Sequence, residues 1–327
     1  RGRHFRKEKR RGEGKRGDGK GRERERRKGG GRKKGEGKER EKGHGKKKRQ
    51  KKGKGRELPG QIQITDEPGG SERVVQKYLA DIPVRETVRI YAAGGDGTLN
   101  EVINGAYSFL STHQIQVGCI PTGTGNDFVR NFPESDFLNM ERQLSATLRQ
   151  VDLIQYQYKN TSGETSRYCV NMFNIGFDCD VVYRTGQIKN GHFLHGSMAY
   201  LAGILVTLIK KEGADLTIQF DDGSVHSGKI LMMSTGNGCY CGGGIKGIPK
   251  ALVDDGKMDI SIVEDATRRR FMQLFPKYAK GVHLEDPRAK EILTYRQCEW
   301  AIVTPNRGTM RLCTDGEIQE TGTIELM

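Results

Sequence analysis

The stretch Thr87-Val-Arg-Ile-Tyr-Ala-Ala-Gly-Gly-Asp-Gly-Thr-Leu-Asn-Glu-Val-Ile-Asn-Gly105 decides how this chain is read. Thr87–Ala93 reads as a strand and runs straight into Gly94-Gly-Asp-Gly-Thr98. Leu99, Val102, Ile103 and Ala106 then recur at i, i+3, i+4 and i+7, the spacing of a helix with one apolar face. A strand, a glycine-rich turn and a helix in succession can hold a phosphate on backbone N–H groups. Glycine keeps that approach clear of a Cβ, and the helix N-terminus adds partial positive charge. Thr98 can cap the helix or offer its hydroxyl to a phosphate oxygen. The loop is neither a Gly-x-Gly-x-x-Gly fingerprint nor a P-loop, because no Gly-Lys-Ser/Thr follows.

A second unit of the same kind comes next. Gln116–Ile120 reads as a strand and enters Pro121-Thr-Gly-Thr-Gly-Asn-Asp127, with two glycines, two hydroxyls and two capping side chains. More helix is expected from there to about Gln150. Upstream, Gln61–Thr65 alternates like a strand, and Val74, Val75, Tyr78 and Leu79 mark a helix within Ser71–Ala80. Alternating strands and helices predict a parallel α/β sheet over residues 57–150. In such a sheet the loops at the carboxyl ends of neighbouring strands share one crevice, so two glycine loops there point to a nucleotide site.

The rhythm changes after Val151. Val151–Tyr158, Arg167–Ile175, Ala214–Phe220, Lys229–Thr235, Met258–Val263, Glu291–Arg296 and Glu299–Thr304 read as strands, with helices only near Ser197–Lys211 and Thr267–Lys280. Residues 151–327 are therefore expected to form a mostly-β, sandwich- or barrel-like second domain, with the active site in the cleft between the two. Three Asp-Gly turns, at Asp222, Asp255 and Asp315, lie between strand-like runs there. Local chemistry reads each of them as a hairpin turn and ranks none above the others.

The net charge of +15 suggests a nucleic-acid protein only until it is divided. Residues 1–56 hold 29 Lys/Arg against 8 Asp/Glu, while residues 57–327 hold 27 against 33. The first segment, with 15 glycines and Phe5 as its one large apolar residue, cannot bury enough surface to order itself and reads as a disordered basic tail. It could contact anionic lipid or nucleic acid. Seven cysteines without a Cys-x-x-Cys pair suit free thiols in a reducing compartment. The longest apolar run, Met198–Ile209, has twelve residues, too few to span a bilayer. A cytoplasmic protein, at most peripheral at the inner face of the membrane, is expected.

Taken together, four blocks are recognisable. Gly94–Gly105 and Pro121-Thr-Gly-Thr-Gly-Asn-Asp-Phe128 resemble the signature blocks of the diacylglycerol kinase catalytic-domain family, most of all its soluble bacterial lipid kinases. Gly242-Gly-Gly-Ile-Lys-Gly-Ile-Pro-Lys-Ala-Leu-Val-Asp-Asp-Gly-Lys-Met-Asp259 is similar to a third block and Thr314-Asp-Gly-Glu317 to a fourth. The first block alone also occurs in NAD kinases, so an NAD kinase-like phosphotransferase is the alternative enzyme. A catalytically inactive lipid- or nucleotide-binding protein tethered by its tail is the alternative outside catalysis.

The resemblance implies an ATP- and Mg²⁺-dependent transfer of the γ-phosphate to a lipid hydroxyl, diacylglycerol first among candidates, at a membrane surface. It implies that Gly94, Gly95, Asp96, Gly97, Thr98, Leu99 and Asn100 wrap the ATP phosphates and that Thr65 and Thr124 contact the nucleotide. Asp255, with the carbonyls of Leu252 and Lys257, would match the magnesium site. Glu317 would be the catalytic carboxylate, Asp96 would face the phosphates through metal, and Asp152 would help orient the acceptor. The family also opens with a strand and an Asn-Pro loop. Residues 1–56 contain neither an apolar strand nor a proline, so the sheet is expected to lack that strand.

Overall fold

The computed structural model describes residues 60–160, 163–177, 179–181 and 213–327. The basic segment 1–56 and the expected helix Ser197–Lys211 lie outside the described residues.

The N-terminal domain is built on two parallel strands, β1 (Thr87–Gly94) and β2 (Gln114–Pro121), in register from Thr87↔Gln114 to Gly94↔Pro121. Because they run parallel and in step, their carboxyl ends release the two glycine loops side by side. Helix α2 (Asp96–Tyr107) connects them and packs on α1 (Gly70–Ala80). Gly105 permits that approach, since a Cβ there would lie 2.7 Å from the Glu72 carbonyl oxygen. Val75, Leu79, Val88, Ala92, Leu99, Val102 and Ala106 close the core between helices and strands. Each fully buried side chain of the Val/Leu class contributes about 1.5–3 kcal/mol.

Two expectations for this domain are corrected. Gln61–Thr65 forms no strand: Ile62 and Ile64 are 74% and 90% exposed, so the alternation has no core to face. The helix expected up to Gln150 is only a 3₁₀ turn (Phe128–Asn131) and the short α3 (Met140–Ser145). Pro133 breaks the run between them, and Phe128, Phe132 and Phe137 pack ring to ring instead of along one helix face.

Among its described residues the C-terminal domain is antiparallel throughout, a branched sheet folded into a sandwich-like half-barrel. Its strands are β3 (Ile154–Asn160), β4 (Gly163–Cys169), β5 (Met172–Gly176), β6 (Ala214–Phe220), β7 (Val225–Gly236), β8 (Met258–Glu264) and β9 (Leu293–Cys298). β10 (Ala301–Pro305), β11 (Met310–Thr314), β12 (Glu317–Thr321) and β13 (Ile324–Leu326) complete it. β7 is the spine: β6 and β5 pair along one edge and β8 along the other. Leu216, Ile218, Ile260, Ile262, Val303 and Leu312 fill the interior. Helices described in this domain include α4 (Arg268–Lys280), which buries Phe271, Leu274 and Tyr278, and the single turn α5 (Pro287–Lys290).

The single strand expected over Arg167–Ile175 is two strands. It breaks at Val170-Asn171, where the N–H groups of Val170, Asn171 and Met172 all donate to the Asp315 carboxylate, at 2.9, 3.1 and 3.0 Å. That one break joins the fold to the site.

Candidate active site

The first glycine loop is fixed by the second. The N–H groups of Thr122 and Gly123 donate to the Gly94 carbonyl at 3.0 and 3.2 Å. A Cβ on Gly123 would lie 2.4 Å from the Gly95 Cα, so the two loops touch backbone to backbone. Gly95 caps α2 in an extended conformation, and no side chain caps that helix, which leaves its first N–H groups facing the loop. Asn126, at φ 53°, closes the second loop by donating Nδ2 to the Gly123 carbonyl at 2.8 Å. Thr124 stands exposed at that loop's tip.

Asp96 locks the pair. Its Oδ1 accepts from the N–H groups of Asp127 and Phe128 at 2.8 and 3.1 Å. Asp127 is buried, and its carboxylate accepts from the Gly243 N–H at 2.9 Å, which brings the Gly242–Gly244 turn onto the glycine loops. Burial pushes the Asp127 carboxyl up to about 6. The bond from Gly243 opposes that rise, the Asp96 charge adds to it and Arg130 opposes it.

The fourth block supplies two carboxylates with different surroundings. Asp315, at φ 47°, is buried and accepts from Asn100 Nδ2 at 2.8 Å as well as from the three N–H groups at the β4–β5 break. Burial raises its pKa, and those hydrogen bonds pull the other way. It thus pins helix α2, which begins in the first glycine loop, to the sheet of the second domain. Glu317 opens β12 on the exposed side of the same turn. Its Oε1 lies 3.6 Å from the position a Cβ on Gly97 would take, so the carboxylate faces the first glycine loop. Partial desolvation raises the Glu317 pKa, the negative charges of Glu101, Asp315 and Glu72 add to the rise, and Arg167 opposes it. Arg167 itself forms a two-pronged ion pair with Glu72 at 2.8 and 3.2 Å, a second tie between the domains.

The remaining expected residues fall around this centre. Leu99 is buried in the core and Asn100 serves Asp315, so both position the loop from behind. Thr65 lies at the start of α1, with its hydroxyl 3.2 Å from Ser71 Oγ. Glu101 holds the same helix end through the N–H groups of Gly69 and Ser71, at 2.7 and 2.9 Å.

Asp152 lies at the Asp254-Asp-Gly256 turn, where its Oδ2 accepts from the Gly256 N–H at 2.7 Å. Asp255 Oδ1 accepts from the Lys257 N–H at 3.2 Å, and Leu252 is exposed beside it. Gln297 Nε2 is 3.4 Å from Asp255 and 3.1 Å from Asp259. One Asp259 oxygen is buried without a hydrogen-bond partner. Among the described residues no three His, Cys, Asp or Glu side chains converge as a metal cage. The Asp222 turn stays a hairpin turn, with its carboxylate on Ser224 and Arg296.

Reasoning on sequence gave Asp127 only as a capping residue and Asp315 only as a turn residue. Their buried roles depend on Gly243 and Asn100, 116 and 215 residues away, and no local signal marks them. The same holds for the asparagine seam between the domains. There Asn131 Oδ1 accepts from the Cys239 N–H at 2.8 Å and Asn131 Nδ2 donates to Asn171 Oδ1 at 3.3 Å.

Known proteins match both halves of this arrangement. Residues 33–156 match the family described as the diacylglycerol kinase catalytic domain. Residues 172–325 match the YegS C-terminal NAD kinase beta sandwich-like domain. The two matches follow one another and take in both glycine loops, the Asp255 turn and Glu317. Both domains thus resemble those of the diacylglycerol kinase family. It is 27% identical over 232 residues to the "Probable lipid kinase YegS-like" of Chromohalobacter salexigens, covering 70% of this chain and 69% of that one. It is 26% identical over 227 residues to the "Diacylglycerol kinase" of Mycobacterium tuberculosis, covering 68% and 70%. Among solved structures, a Bacillus anthracis diacylglycerol kinase superposes with a TM-score of 0.56 at 22% identity, covering 80% of each chain, and shares the fold. The family is one of lipid kinases, and the expected fold class holds: an α/β domain with a parallel sheet followed by an antiparallel β domain.

Proposed function

We infer that this chain is an ATP-dependent lipid kinase that transfers the γ-phosphate to a lipid hydroxyl, with diacylglycerol as acceptor and phosphatidic acid as product. The observation that carries this reading is the Glu317 carboxylate facing the first glycine loop, with Oε1 3.6 Å from the Gly97 Cβ position. A nucleotide seated on Gly94–Thr98 and Thr124 would bring its terminal phosphate between loop and carboxylate. Phosphoryl transfer asks a protein for positioning and charge neutralisation, and Mg²⁺ bound with ATP supplies the neutralisation.

This chain's own residues do the rest. Glu317 accepts the proton of the lipid hydroxyl as it attacks, and its raised pKa makes it a stronger base than an ordinary glutamate. Asp96 holds the two loops together through Oδ1 and leaves Oδ2 for a phosphate-bound cation. Asp255 and the carbonyls of Leu252 and Lys257 would supply hard oxygens of the kind Mg²⁺ accepts, and the buried Asp259 oxygen without a hydrogen bond would favour a cation or its water beside them. Asp152 holds that turn in place. A lipid acceptor also places the protein, as a cytoplasmic enzyme, at the inner face of a membrane.

Labelled ATP and Mg²⁺ with a panel of diacylglycerol, ceramide, sphingosine, phosphatidylglycerol and NAD test the reading. Label in phosphatidic acid alone supports it in full. Label in another lipid changes the acceptor, label in NAD replaces the lipid kinase reading, and none at all removes catalysis.

A further inference from the structure

Helix α4 turns toward solvent a face that the chemistry above does not use. From Thr267 to Lys280 the sequence has five Lys/Arg and no Asp or Glu, in a region of the chain that is otherwise net acidic. Arg270 is paired with Glu291 and Lys277 with Asp286. Arg269 and Lys280 are exposed and form no ion pair among the described residues. Between and beside them two apolar side chains are also exposed, Met272 at 48% and Val282 at 42%.

This face continues toward the glycine loops. The Lys246 N–H donates to the Ala279 carbonyl at 3.1 Å, and the Lys246 stem lies against Gly281 at the end of α4. The turn that begins there runs back to Gly243, which the Asp127 carboxylate holds against the second glycine loop. Cationic side chains with exposed apolar ones among them are what an interfacial helix presents to a bilayer. Single-stranded nucleic acid would instead call for exposed aromatic platforms, and α4 buries its Phe271 and Tyr278.

We propose that the Arg269–Met272–Lys280 face of α4, with Val282 just past its end and extended by Lys246, docks on an anionic bilayer and holds the glycine loops at the surface from which the acceptor enters. The inference rests on the lipid kinase reading for its reason, and its test needs no turnover. The full chain carrying Met272→Trp is mixed with phosphatidylcholine/phosphatidylglycerol vesicles whose acyl chains are brominated, without diacylglycerol or ATP. The control is Val225→Trp, at the far end of β7 and about 30 Å along the strand from Ser234, whose hydroxyl lies 3.3 Å from the Tyr278 hydroxyl. Both side chains replaced are exposed, so both variants fold. The emission of the single natural Trp300 is subtracted in each case.

The docking predicts quenching at 272 and none at 225. Arg269→Gln with Lys280→Gln in the Met272→Trp chain should weaken the docked state about thirtyfold, about fivefold for each basic residue. The basic tail brings every variant to the vesicle, so quenching reports which face meets the lipid. Equal quenching at both positions, or none at 272 on sedimented vesicles, would overturn the proposal, as would a response at 272 to polyuridylate in place of vesicles. Quenching at 272 by a chain that phosphorylates no lipid would leave the docking standing and remove the function.

Discussion

Glu317 and Asp127 are both acids with raised pKa values, and they serve opposite ends. Glu317 faces the glycine loop from an exposed turn, so its proton can exchange. Glu317→Gln keeps the shape and loses the base: turnover should fall roughly 10²–10⁴-fold while ATP binding persists. As the proposed base, Glu317 would work only ionised, so wild-type kcat/KM should rise with pH through a value above the ordinary glutamate pKa. That acid limb should vanish from the residual activity of the variant, and near-wild-type turnover would remove Glu317 from the chemistry. Asp127, in contrast, is buried. Its pKa is raised from an ordinary value of 3.8 to about 6, so the folded state holds its proton more tightly than the unfolded state does. The stability this gives is full below pH 3.8 and lost as pH rises through 6, by about 3 kcal/mol at most. Asp127→Asn removes the titration. Urea denaturation of both proteins at pH 4 and pH 7 should therefore show wild type losing ground to the variant as pH rises, and parallel behaviour would contradict it.

At the scale of the element, the two glycine loops separate packing from binding. A Cβ at Gly123 would lie 2.4 Å from the Gly95 backbone, whereas one at Gly97 would meet only Glu317 Oε1, at 3.6 Å. Gly123→Ala should thus lower the melting temperature. Gly97→Ala should melt like wild type but raise KM for ATP or lower kcat, because the methyl group occupies the space between loop and carboxylate. Calorimetry and steady-state kinetics on the pair check this, and an unchanged kinetic profile for Gly97→Ala would refute the cradle. The Asp-Gly turns give a second contrast. Asp255→Ala should cost activity that depends on Mg²⁺ concentration. Asp222→Ala breaks only a surface hairpin contact with Ser224 and Arg296 and should lower stability slightly, with no metal dependence. Equal responses to Mg²⁺ would dissolve the metal assignment.

For the whole molecule the dominant asymmetry is charge. The first 56 residues hold 29 Lys/Arg against 8 Asp/Glu, and the other residues are net acidic. Deleting residues 1–56 should weaken sedimentation with anionic vesicles at low salt, since each basic residue near such a surface contributes about 1 kcal/mol and is screened within about 10 Å at 0.1 M salt. Activity on detergent-dispersed lipid should stay nearly the same, because Thr65 is the first proposed site residue. The family match begins at residue 33. Loss of micellar activity on deletion would therefore assign residues 33–56 a part in the nucleotide site.

What the sequence determined by itself is local. The β1–loop–α2 unit, the second glycine loop, the mostly-β character of the second domain and the hairpin turns at Asp222 and Asp315 follow from periodicity and from where glycine must stand, properties a window of ten or so residues contains. Asp255, read as a hairpin turn in the same way, lies instead in the long 237–257 connection between β7 and β8. The resemblance of four blocks in order added Glu317 and the Asp255 turn. Tertiary structure decided the rest. It gave Gln61–Thr65 no strand, with Ile62 and Ile64 exposed, and it split Arg167–Ile175 because Asp315 draws three backbone N–H groups out of the ladder. It also separated three turns that local chemistry ranks alike. Asp222 ends in a surface contact, Asp255 rests on the turn that Asp152 holds, and Asp315 is buried against Asn100 of the other domain. Burial and long-range partners set what a carboxylate does, and neither is written within reach of the residue that bears it.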